Sequence, residues 1–126
     1  MTIIRTTKGK TIGGYTEQTW KTSKNEKQKI GEFKQDKNAF LFSLDKKKIY
    51  NISVQPAIWC HPLYGPCFAG RKGFGIYSKE KLINDVMRTN IVQESYYSGM
   101  EKDYELNDGK EKFYALEIEV FQILFN

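Results

Sequence analysis

Asn38-Ala-Phe-Leu-Phe-Ser-Leu44 is an apolar run too short for a helix core. Asp45-Lys-Lys-Lys48 interrupts it, and Ile49-Tyr-Asn-Ile-Ser-Val54 resumes the apolar, β-branched character. Two such runs around a short polar turn read as a β-hairpin. A second pair has the same form: Thr2-Ile-Ile-Arg-Thr6, a turn at Lys8-Gly9-Lys10, and Thr11-Ile-Gly-Gly-Tyr15. Glycines inside a strand mark a bulge or a close backbone approach, so Gly13 and Gly14 predict one or the other. Thr16 to Trp20 ends this element on a large aromatic.

The rest of the chain fits the same pattern. Residues 21–37 are polar and Lys-rich and predict a long surface loop. The glycines and prolines between Pro56 and Gly75 predict irregular chain, with short strands near Ile58–Trp59 and Gly75–Tyr77. Ser78 to Arg88 predicts one short helix capped by Ser78, with an extended alternative over Lys81 to Ile91. Residues 113–125 predict a closing strand. The chain has eight Tyr, eight Phe and two Trp, a composition that suits sheets. The expected fold is mostly β, an antiparallel β-sandwich with one or two short helices. With 126 residues it is a single domain. No apolar run is long enough for a membrane-crossing helix, and Met1 to Arg5 does not begin a secretory signal, so the expected location is cytoplasmic.

The net charge of +5 is unevenly spread. Residues 1–63 hold 12 Lys/Arg against 5 Asp/Glu, and residues 64–126 hold 8 against 10. A basic half suggests a surface for nucleic acid or anionic membrane. However, Glu26, Glu32 and Asp36 interrupt the lysines, and base reading generally uses Arg.

Few residues offer chemistry. Cys60, His61 and Cys67 are one ligand short of a structural zinc site, so no metal or cofactor is expected. A Cys60–Cys67 disulfide is sterically conceivable, and a cytosolic chain would keep both thiols reduced. Cys67 with His61 is a weak nucleophile pair. Gly70 to Gly75 is Gly-rich and basic but matches no phosphate-binding pattern. Glu117 and Glu119 remain. Two residues apart on a strand, they share a face at roughly 7 Å, within the range of a glycosidase carboxylate pair. Alternation places Leu116, Ile118 and Val120 toward the core. It leaves Ala115, Phe121 and Ile123 on the glutamate face, with one glutamate half-buried. The pair is either an acid/base device or the wet side of a sheet.

Four motifs in order resemble the TLDc domain family: Gly13-Gly14-Tyr15 with Trp20, Ala39 to Leu44, Gly65-Pro66-Cys67-Phe68, and Glu117-Ile118-Glu119-Val120-Phe121. The resemblance covers residues 2–123. It implies a sandwich of antiparallel sheets spanning 1–126 as a single TLDc-like domain that lacks the family's usual N-terminal portion. In such a domain an unpaired sheet edge near Thr2–Thr6 is expected. The chain departs from the family pattern at Phe68 to Gly75. The resemblance also implies oxidative-stress resistance and binding to a vacuolar proton-pump subunit, with no catalytic mechanism and no cofactor. The expected role is a non-catalytic protein-interaction domain. Gly13, Gly14, Tyr15, Trp20, Gly65, Pro66, Glu117 and Glu119 are its candidate interaction residues. The alternatives are a hydrolase using the carboxylate pair, and a basic membrane or nucleic-acid binder.

Overall fold

A computed structural model of the chain describes residues 1–21, 31–61, 65–69, 74–75, 86–88 and 96–124. Its strands are β1 (Thr2–Thr6), β2 (Thr11–Tyr15), β3 (Glu32–Lys34), β4 (Phe40–Ser43), β5 (Lys48–Asn51), β6 (Ile58–Cys60), β7 (Cys67–Phe68), β8 (Val86–Arg88) and β9 (Lys112–Val120). Both expected hairpins form, β1–β2 and β4–β5. They join a larger sheet in the order β5-β4-β2-β1-β9-β8, and β3-β6-β7 form a smaller one. All pairings are antiparallel. The fold is therefore mostly β, as the hairpins and aromatic content predict.

Several local expectations are corrected. The 21–37 loop contains β3, and Phe33 pairs opposite Trp59 in the register. Residues 86–88 are extended rather than the end of a helix, which agrees with the extended alternative. Residues 76–85, the rest of that helix and of the strand at Gly75–Tyr77, lie outside the described residues. Among the described residues the only helical turn is a 3-10 turn at Glu105–Asn107. The strand Thr2–Thr6 is not a sheet edge: β1 lies between β2 and β9 and pairs with both.

The core lies between the sheets. Ile4, Ile12, Leu41 and Tyr50 of the larger sheet face Ile58 and Phe68 of the smaller, and all are buried. Phe68, Phe74 and Phe113 stack in series with centroids 6.0 Å apart. Tyr97 is fully buried and donates its hydroxyl to the Ala57 carbonyl at 2.8 Å. That bond satisfies a polar group that would be costly to bury unpaired.

The two glycines of β2 act by close approach. A Cβ on Gly14 would collide with the Phe68 ring on the core face, and one on Gly13 would collide with Phe42 and the Thr2 carbonyl. Removing the side chain lets one aromatic ring lie against the strand at each of the two positions.

β9 carries the other correction. Arg5 pairs with Glu117 while Thr6 pairs with Ala115, so Leu116 is an extra residue at a bulge. A bulge reverses the alternation beyond it. Phe113 and Ala115 therefore face the core before it and Ile118 faces it after, while Leu116 is 64% exposed. Val120 shares a side with Ile118 but lies at an open end of the sheet and is 52% exposed.

Candidate interaction surface

Glu117 and Glu119 stand on the outer face of the larger sheet, beside Arg5 and Ile3 of β1. Both are exposed, so neither is the half-buried carboxylate that simple alternation suggested. Ala115 does not share their face; it packs on the core. The pair lies in an exposed strip that includes Leu116 and Phe121. Next to it on the same face are Ile3, Gly13 and Phe42, then Tyr15 stacked on Phe40 with centroids 5.2 Å apart. Ile49 of β5 is 59% exposed beyond them. An antiparallel sheet with one wet face usually alternates cleanly to polar residues there. Here apolar and aromatic side chains occupy much of that face.

The other motif residues do not join this strip. Gly14 and Trp20 both meet Phe68, Gly14 beneath its ring and Trp20 edge-on at 5.3 Å. Gly65 and Pro66 lead into β7, where the Cys67 thiol donates to the Gly65 carbonyl at 3.4 Å. Two of the four motifs thus converge on one core ring. Gly14, Trp20, Gly65 and Pro66 position that ring, while Tyr15, Glu117 and Glu119 remain on the outer face.

The cysteines sit apart in function as well as in space. Trp59 pairs with Cys67 across β6–β7, so Cys60 and Cys67 point to opposite faces of the small sheet, and neither is in a disulfide. Those opposite faces separate the sulfurs that a disulfide would have to join. Burial pushes the Cys60 thiol up, only partly offset by Lys34, which disfavours the reactive thiolate. No group of three or more His, Cys, Asp or Glu among the described residues is placed to hold a metal.

The carboxylate with the most elaborate setting is one that the sequence does not mark. Glu105 is 5% exposed. It accepts the Tyr50 hydroxyl at 2.5 Å, the Lys48 ammonium at 3.0 Å and the Glu101 amide at 3.0 Å. Burial alone would raise its carboxyl. The bonds from Tyr50, the Glu101 amide and Lys48 outweigh burial and hold it below its ordinary value. Burial and the neighbouring Glu105 push the Tyr50 phenol well above the tyrosine range. Asp36 is a second hub. One of its oxygens accepts the Thr16 hydroxyl and the Glu17 amide, both at 2.6 Å, and the other accepts the Asn38 amide at 2.9 Å. Neither Glu105 nor Asp36 falls in an apolar alternation, so periodicity gives no signal for them. The only hint is Asp36 two residues before Asn38, a spacing typical of side-chain turns.

The sequence-level charge imbalance becomes pairing in space. Asp108 of the acidic half receives Lys46 at 2.6 Å and Lys10 at 3.4 Å, both from the basic half. The hydrogen bond from Lys46 leads in holding the Asp108 carboxyl below the usual range. Lys48 is taken by Glu105, and Lys34 donates to the Thr19 and Lys21 carbonyls. These lysines are engaged within the domain, which reduces the basic face available to a polyanion.

A family model described as the TLDc domain matches residues 1–124 of the 126. No curated protein and no solved structure matches the chain.

Proposed function

Because the chain belongs to the TLDc domain family, we propose that it is a non-catalytic protein-interaction domain acting in the cytoplasm, with a vacuolar proton-pump subunit as its partner. The observation that carries this reading is the outer face of the larger sheet. Glu117 and Glu119 stand exposed beside Leu116 and Phe121. An apolar strip with a charged margin is the anatomy of a docking surface. Acid/base work by two carboxylates instead needs an enclosure that positions substrate and limits water. Among the described residues, nothing covers this pair.

A role in oxidative-stress resistance would then be exerted through the partner. Cys60 and Cys67 are both buried, which suits them poorly as peroxide scavengers. The test is co-purification of proton-pump subunits with the tagged chain after gentle lysis. Recovery that falls at least tenfold in a Leu116→Asp, Glu119→Lys variant of unchanged thermal stability supports the reading. Recovery of no pump subunit removes the proposed partner.

A further inference from the structure

The larger sheet gathers three segments at one end. β1 and β2 join there through Thr7–Lys10, and β4 and β5 through Leu44–Lys47. β9 starts at the same end, because Thr6 at the close of β1 pairs with Ala115. Two carboxylates brace these segments. Asp45 accepts the Thr11 amide at 2.7 Å, which fixes one hairpin turn to the other. Asp108 receives Lys10 and Lys46, which fixes the chain before β9 to both turns.

The lysines at this end outnumber the carboxylates that brace it. Lys8, Lys47, Lys110 and Lys112 are exposed, and none makes a side-chain ion pair or hydrogen bond with another described residue. Against these four, Glu111 is the one exposed carboxylate of the same segments left without such a bond. The four lysines are spread from β4 to β9, about 14 Å across the sheet, and do not surround a cleft. Leu44 stands among them and is 62% exposed. Its main chain is held on both sides: its amide donates to the Thr11 carbonyl at 3.0 Å, and its carbonyl accepts the Lys47 amide at 3.1 Å. The register places Ile49 diagonally beside it on the same face, also exposed.

We propose that this end of the sheet docks on an anionic lipid bilayer, with the unpaired lysines at the headgroups and Leu44 in the boundary beneath them. The proposal is independent of the protein partner named above. Charge complementarity sets the class of partner, since a cytoplasmic leaflet is negatively charged and each lysine held near it strengthens binding about fivefold. Leu44 adds a salt-independent gain from apolar transfer. A nucleic acid would meet the same charges. However, its bases are held by aromatic stacking and read by Arg, and an aliphatic side chain does neither. A braced end with its charge spread across the sheet and an aliphatic side chain among the lysines matches a flat bilayer surface.

The test is co-sedimentation of the chain with phosphatidylcholine vesicles, either pure or containing about one-third phosphatidylserine. Binding to the mixed vesicles should be at least tenfold stronger than to the pure ones and should weaken as salt rises. Lys8→Glu with Lys110→Glu should weaken it at least tenfold. Lys21→Glu with Lys37→Glu changes the net charge equally. Both lie beyond the opposite end of β2, where Asp36 binds Thr16 and Glu17, so this pair should change binding less than threefold. Leu44→Ser should weaken binding at least threefold, by the same factor at low and at high salt. Equal binding to the two kinds of vesicle, equal loss in the two double variants, or unchanged binding of Leu44→Ser overturns the proposal. If duplex DNA at an equal concentration of phosphate strips the chain from the vesicles, the end serves a nucleic acid and the proposal is likewise overturned.

Discussion

Glu105 and the Glu117–Glu119 pair belong to the same sheet system and differ in almost every physical respect. Glu105 leaves a 3-10 turn and points at β5, where a phenol, an ammonium and an amide meet it. Glu117 and Glu119 leave a regular strand and point to solvent. The pair catches the eye in the sequence because alternation makes it conspicuous. Glu105 sits in Tyr104-Glu-Leu-Asn107, where nothing in the pattern separates it from a surface residue. A carboxylate's contribution to stability depends on what is packed over it. Periodicity reports only which way a strand residue points.

The largest effect should follow from removing the buried group. Glu105→Ala leaves the Tyr50 hydroxyl buried without its acceptor and Lys48 without its counter-ion. The expected cost is about 3 kcal/mol in urea unfolding. A loss below about 1 kcal/mol would mean that the 101–110 segment is held to β5 by other contacts and that the contrast with the exposed pair is false.

Glu105→Gln sharpens the same point through pH. The folded carboxyl lies below its ordinary value of 4.5, so just beneath that value the unfolded chain binds more protons than the native state. The stabilisation is therefore complete above the ordinary value and is lost as pH falls through the lower folded value. Glu105→Gln should cost about 2 kcal/mol at neutral pH and should flatten the part of the acid stability profile that lies below 4.5. A variant with an unchanged acid slope would assign that slope to other carboxylates, of which Asp108 is the first candidate.

Tyr50→Phe removes only the hydroxyl and leaves Lys48 and the Glu101 amide in place. About 1 kcal/mol is expected, because one of three donors is lost and no large cavity opens.

How much of this was legible depended on the element. The Ala39–Leu44 and Ile49–Val54 hairpin was clear because two apolar runs flanked an unmistakable polar turn. Gly13 and Gly14 signal a bulge or a close approach, and the close approach is what forms; the rings that meet them, Phe42 and Phe68, lie far away in the sequence and cannot be named from it. β3 was missed because its three residues, Glu32-Phe-Lys34, are too short and too charged to announce a strand; pairing with β6 determines them. The face of Leu116 was misread because a bulge depends on the partner strand, here on Arg5 and Thr6, and leaves no local mark. Of the candidate residues, the sequence identifies Glu117 and Glu119 but not their openness; it carries no sign of Glu105 and, for Asp36, only the turn spacing to Asn38.

The smallest effect should come from the conspicuous pair. Glu117→Gln, Glu119→Gln keeps strand propensity and side-chain shape and removes two exposed charges. Neither glutamate side chain takes part in an ion pair or hydrogen bond among those of the described residues. Exposed substitutions of this type change stability by less than about 0.5 kcal/mol, and partial relief of like charge at adjacent positions offsets the loss of attraction to Arg5. Unfolding curves should therefore overlay those of the unaltered chain. Capture of a partner through this face should nevertheless weaken, and more strongly at low salt than at high, because exposed charges act over about a Debye length. A change in stability without a change in capture would mean that these glutamates serve the fold, which is the role the structure gives to Glu105.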